Sequence, residues 1–204
     1  MITIVDYGLG NVRAFSNMYK RMNVEARTAT RADELASAEK IILPGVGAFD
    51  HAMELLQRSG MRQTLDELVL GRKVPVLGIC VGMQILAEGS DEGALPGLGW
   101  VAGRVRALRS APKAAVLPLP HMGWNDVKPT RPTPLFAGLE GDARFYFLHS
   151  FYFECAHGED VIATASYGVD FACAVQSGNV FGVQCHPEKS HHCGTQLLKN
   201  FAEL

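Results

Sequence analysis

Apolar and polar positions alternate along the first half of the chain in a regular order: short apolar runs, then longer stretches with one apolar face. The runs at 2–5, 24–29, 40–43 and 74–79 read as buried strands, and 12–22, 48–58 and 61–70 read as amphipathic helices between them, with another helix opening near Val81. That order predicts an α/β fold with a mostly parallel central sheet flanked by helices. After Gly89 the long helical period disappears, and strand-like runs follow at 100–108, 145–153, 161–166 and 172–176. The runs 172–176 and 180–184 flank Ser177-Gly178-Asn179, a connection suited to a hairpin, so the second half is expected to add antiparallel or mixed strands. Leu197, Leu198, Phe201 and Leu204 share a face over 194–204 and predict a closing helix. With no linker or repeat in view, residues 1–204 are expected to form one domain.

Composition narrows the partners. Nineteen basic and 21 acidic residues lie scattered without long runs of one sign, which leaves no footprint for nucleic acid or a charged membrane surface. No apolar stretch approaches the roughly 18 residues of a membrane span, and the start of the chain reads as a strand rather than a secretory signal. A cytoplasmic location is the expectation. Cys80, Cys155, Cys173, Cys185 and Cys193 form an odd set without a C-x-x-C pair, which points away from a disulfide framework.

One of these thiols stands where a nucleophile would. In Gly78-Ile79-Cys80-Val81-Gly82 a buried strand runs directly into a helix, the arrangement of a nucleophile elbow with sulfur in place of oxygen. The glycines would relieve crowding at a sharp turn. First-turn N–H groups after Cys80 would favour the thiolate and could hold an oxyanion, with Val81 the first donor. A small buried hydrophobe is the other reading of Cys80, and a base elsewhere in the chain decides against it.

That base is available in His186-Pro187-Glu188, at the end of another strand-like run. Proline fixes a turn that lets His186 and Glu188 project to one region, so the imidazole can shuttle a proton while the carboxylate orients it. A surface turn is the bland alternative. Cys185, His186, His191, His192 and Cys193 also crowd good metal ligands into nine positions, but their spacing fits none of the usual zinc patterns, so no metal is expected.

Together, Gly78-x-Cys80-x-Gly82-x-Gln84 and His186-Pro187-Glu188 resemble the signatures of the class I, or triad, glutamine amidotransferases. Further blocks, Asp6-Tyr7-Gly8-Leu9-Gly10-Asn11, Pro44-Gly45-Val46-Gly47, Met122-Gly123-Trp124-Asn125, Leu148-His149-Ser150-Phe151 and Lys189-Ser190, are similar to those of the glutaminase subunits of imidazole glycerol phosphate synthases. The resemblance implies the class I fold and a Cys80 thioester mechanism that needs no cofactor. It implies that Val81 and Gly47 serve the oxyanion, and that Gly45, Gly47, Gln84, Glu92, Ser150 and Phe151 line the glutamine pocket. Two positions depart from the family's commoner residues: Cys185 stands where phenylalanine is usual, and Phe151 where tyrosine is usual.

The same resemblance implies a partner, a (β/α)8-barrel cyclase subunit forming a heterodimer, which uses the released ammonia to make imidazole glycerol phosphate and an aminoimidazole carboxamide ribotide in histidine biosynthesis. Asn11, Trp124 and Lys189 are the expected interface residues. The 44–47 loop is expected to turn its oxyanion amide inward when the partner is loaded. Two alternatives stay open: another class I amidotransferase subunit, and a catalytically silent regulatory subunit.

Overall fold

The computed structural model describes residues 1–141 and 143–204. In chain order the first half holds β1 (Ile2–Val5), α1 (Val12–Arg21), β2 (Ala26–Ala29), α2 (Ala32–Leu35), β3 (Lys40–Gly45), α3 (Phe49–Arg58), α4 (Arg62–Asp66), β4 (Val76–Cys80) and α5 (Val81–Gln84). The second half adds β5 (Gly89–Ser90), β6 (Gly103–Ala107), β7 (His121–Asp126), β8 (Lys128–Pro129), β9 (Arg144–His149), β10 (Phe151–Cys155), β11 (Val161–Ser166), β12 (Asp170–Ser177), β13 (Val180–Val183) and α6 (His191–Glu203).

The central path of the main sheet runs β2-β1-β3-β4-β13-β12-β10-β6-β5, with β11 and β8 joined beside β12. Strands β2, β1, β3, β4 and β13 pair in parallel; β12, β10 and β6 continue antiparallel. The expected mixed sheet is therefore present. Continuous apolar strands suit its centre, because helices cover both faces: all of β1, β4 and β13 is buried.

Helix α1 buries Phe15 and Tyr19, four residues apart, and starts at Asn11, whose side chain accepts the Ala14 amide. Helix α6 buries Leu197, Leu198 and Phe201, each contributing roughly 1.5–3 kcal/mol by leaving water. It begins at His191, three residues before the expected start at 194.

Other elements differ more. The stretch expected as one helix over 61–70 is α4 followed by a π-helical turn, Glu67–Gly71. The hairpin between β12 and β13 closes through two residues, Gly178 and Asn179, with Gly178 at a φ of 57°. The strand expected over 145–153 breaks at Ser150 into two: β9 pairs with β7 in a separate two-stranded sheet, and β10 joins the main sheet between β12 and β6.

Candidate active site

Strand β4 ends at Cys80 with a φ of 55° and a ψ of −113°, a backbone conformation that costs a side-chain-bearing residue about 1–3 kcal/mol. Its neighbours hold it there. A Cβ on Gly78 would lie 2.5 Å from the Gly82 carbonyl oxygen, and one on Gly82 would lie 1.9 Å from the Leu43 carbonyl oxygen. No side chain fits at either position, so β3, β4 and α5 close tightly around the turn. Helix α5 lasts only four residues, so it follows the sulfur with the N–H groups of one turn rather than with a long helix dipole.

The neighbouring parallel strand β13 leads to the expected base, His186. Beyond its end, His186 donates its amide to the Tyr146 carbonyl at 2.8 Å. Pro187 then opens a single 3-10 turn, which brings the Glu188 Oε1 to 2.9 Å from the His186 Nδ1. The His186 ring lines the same cavity as Cys80, whose thiol lies 4.0 Å from the Leu148 carbonyl oxygen. Burial opposes charge on this ring, but the neighbouring Cys80 and Glu188 side chains outweigh it and lift its pKa to about 9. The arrangement sets a cysteine and an imidazole on one cavity, with a carboxylate holding the far side of the ring.

Two residues outside the expected set complete this geometry. Ser190 donates to the His186 carbonyl at 2.6 Å and accepts the Tyr146 amide at 3.0 Å, tying the turn to β9. Gln184 is fully buried and points its Nε2 at the Cys80 sulfur, 3.8 Å away. A polar residue at the end of the apolar run Val180-Phe181-Gly182-Val183 was the available signal for Gln184. Helix α6 packs against the same turn: a Cβ on Gly194 would lie 1.9 Å from the Pro187 carbonyl oxygen.

A cavity of about 310 Å³ opens over the sulfur. Gly47, Val81, Gln84, Glu92, Ser150 and Phe151 line it, together with His149 and Lys189. Glu92 is fixed on its wall by the Phe49 amide at the start of α3, which donates to Oε2 at 2.9 Å. Gly47 has a φ of 90° and nothing within 4 Å of an added Cβ, so the space beside it is open, whereas Pro44 and Gly45 are paired within β3. The Tyr7 hydroxyl donates to the Pro44 carbonyl at 2.8 Å.

Three of the expected residues have surroundings that the spacing did not suggest. Gly45 lies behind the cavity wall, where its Cα packs so closely that a Cβ would meet the Gly82 amide nitrogen at 2.5 Å. Gln84 lines the cavity, but its Nε2 donates to the Phe151 carbonyl at 3.2 Å and to the Gln184 Oε1 at 3.0 Å, so its amide N–H groups brace the wall. Lys189 sits at the cavity itself, with its ammonium 5.6 Å from the centre of the Tyr146 ring.

Of the other expected interface residues, Asn11 is exposed and caps α1. Trp124 is 40% exposed beside the more exposed Met122 on the outer face of β7, and its ring stacks on His191. The crowded ligand types near His186 disperse: Cys185 and Cys193 are buried, whereas His191 and His192 are exposed. Among the described residues no helix is long and apolar enough to cross a membrane.

The family pattern of class-I glutamine amidotransferases matches residues 3–204. The chain is 64% identical to the imidazole glycerol phosphate synthase subunit HisH of Bdellovibrio bacteriovorus and 51% identical to that of Leptospira interrogans, with the full length of both chains covered in each case. A solved glutamine amidotransferase structure superposes with a TM-score of 0.77 at 20% identity, covering 99% of this chain and 97% of the other, which speaks for the fold alone.

Proposed function

Because the chain belongs to the class-I glutamine amidotransferases, and within them to the HisH subunits of imidazole glycerol phosphate synthase, we propose that Cys80, His186 and Glu188 are the triad of its glutaminase activity. The observation that carries this assignment is that Cys80 and His186 line one cavity, with the His186 ring held from behind by Glu188 at 2.9 Å.

Attack of the Cys80 sulfur on the side-chain carbonyl of glutamine forms a carbon–sulfur bond and places negative charge on the carbonyl oxygen. The amides of Val81 and Gly47 are the donors assigned to that oxygen. His186 gives its proton to the departing nitrogen, so ammonia leaves and a thioester remains. The ring then takes a proton from water as the water attacks the thioester, which releases glutamate and restores the thiol. Glu188 keeps Nδ1 protonated throughout, leaving Nε2 to exchange the proton. Glu92 offers a carboxylate for the substrate ammonium, and the Ser150–Phe151 kink offers polar groups for its carboxylate.

Ammonia set free in water becomes ammonium and disperses, so the reading includes a separate cyclase subunit of the (β/α)8-barrel kind. It would dock over the face carrying Met122 and Trp124, in a cytoplasmic heterodimer. The test mixes the chain with a candidate cyclase and follows glutamate and imidazole glycerol phosphate. Cys80→Ala should abolish both products, and Trp124→Ala should weaken association while leaving the triad intact. Glutamate release by Cys80→Ala would sink the triad; activation only by a different synthase would sink the assigned partner.

A further inference from the structure

Two buried histidines take no part in the triad, yet one of them lines the cavity. His149 and His121 are 5% and 3% exposed, and the His149 Nε2 lies 2.8 Å from the His121 Nδ1. At its other edge the His149 Nδ1 lies 2.8 Å from the Phe151 carbonyl.

The partners fix every proton in this series. A carbonyl only accepts, so the His149 Nδ1 carries the hydrogen and its Nε2 must accept. The His121 Nδ1 is then the donor, and its Nε2 accepts from the Asn125 Nδ2 at 3.3 Å. That same Nδ2 donates to the Ser166 carbonyl at 2.9 Å, while the Asn125 Oδ1 accepts the Asp126 amide. The His121 ring is held between Phe147, 5.1 Å away, and Tyr167, 4.1 Å away. An extra proton on either ring would set two N–H groups against each other. Burial accordingly pushes the His149 pKa down to about 3 and that of His121 to about 4.

The far end of this series is the break between β9 and β10, the point at which Ser150 and Phe151 enter the cavity wall. The Phe151 carbonyl receives two donors, the His149 Nδ1 and the Gln84 Nε2, and both come from side chains lining that wall.

We propose that Asn125, His121 and His149 form a neutral positioning relay that fixes the Ser150–Phe151 kink for the α-carboxylate of glutamine, so that these residues set substrate affinity without touching the reacting atoms. The inference rests on the glutaminase reading above. With the kink held, the polar groups meeting the carboxylate are ordered before binding, and less of the interaction is spent on ordering them.

The test compares His121→Phe and His121→Asn with the wild type, each in complex with the cyclase, reading KM and kcat for glutamine, Tm, and the rate of Cys80 alkylation by iodoacetamide. Phenylalanine fills the slot between Phe147 and Tyr167 but offers His149 no donor. Asparagine loses the stacked ring but carries an amide N–H close to where Nδ1 stood. His121→Phe should raise KM about tenfold, as expected for one lost buried hydrogen bond, with kcat and alkylation unchanged. His121→Asn should melt lower and yet keep a KM near the wild-type value. An unchanged KM in His121→Phe overturns the relay, as does a KM that follows Tm in both variants, or slowed Cys80 alkylation. A wild-type complex that releases no glutamate defeats the glutaminase reading instead, which separates the two failures.

Discussion

Ser190 donates its hydroxyl hydrogen to the carbonyl of His186 across 2.6 Å, closing the turn that carries the proposed catalytic imidazole. The same oxygen accepts the Tyr146 amide, so one buried hydroxyl joins the triad turn to β9. Ser190→Ala leaves that amide without its acceptor, at a cost of about 2 kcal/mol. A Tm lower by about 4–8 °C is expected for a chain of this size. Glutamine turnover should fall with it, as glutamate release would show; a variant with wild-type Tm and turnover would remove Ser190 from this role.

The paired state of His186 gives alkaline pH a definite effect. Its pKa is lifted to about 9, so the ring stays charged through neutrality and loses its proton as pH rises through that value. The stability gained from the pairing is fully present below the ordinary imidazole pKa of about 6.5 and is lost as pH climbs through about 9. The plot of kcat/KM against pH should bend downward near the same point. In Glu188→Gln one of the groups that raises the pKa is gone, and the bend should move toward neutrality. An identical alkaline limb in both proteins would contradict this electrostatic account.

Thiol chemistry should be confined to the cavity. Burial pushes the Cys155 thiol up to about 12 and raises Cys173 and Cys185 well above the ordinary range, so these three stay protonated at neutral pH. Iodoacetamide on the native chain should therefore mark Cys80 before any of them, as peptide mass mapping would reveal. Marking of Cys173 or Cys185 ahead of Cys80 would count against the site.

Gly82→Ala tests the elbow itself. The new methyl group would meet the Leu43 carbonyl at 1.9 Å, and neither backbone segment can retreat without moving β3 or Cys80. The expected outcome is a loss of about 1–3 kcal/mol of stability, read by urea unfolding, together with loss of glutamate release. Full activity in this variant would mean that the turn tolerates another geometry.

The parallel half was legible because its strands are buried on both faces and so are apolar without interruption, as in Ile41-Ile42-Leu43 and Val76-Leu77. The candidate triad was legible because each of its residues lies within two positions of a turn-making glycine or proline. Strand β7 escaped for the opposite reason: its inward side chains include His121 and Asn125, whereas Met122 and Trp124 face out, so its apolar pattern is inverted. The break at Ser150 was hidden because alternation continues through Phe145, Phe147, Phe151 and Phe153 while the chain passes from one sheet to another. Gln84 was assigned to substrate because its helical spacing from Cys80 is right, and its bond to Gln184 depends on a strand 100 positions away.

The adjacency of β4 and β13 has a bearing on the birth of the protein. Cys80 meets its base only when a segment 106 positions further along has been made and laid in parallel beside it, a pairing of long range and slow formation. At a synthesis rate of about 5–20 residues per second, the sulfur emerges roughly 5–20 s before His186 exists. A growing chain on the ribosome therefore carries a thiol but no glutaminase, and glutamine is safe from it until the last third of the sequence has folded home.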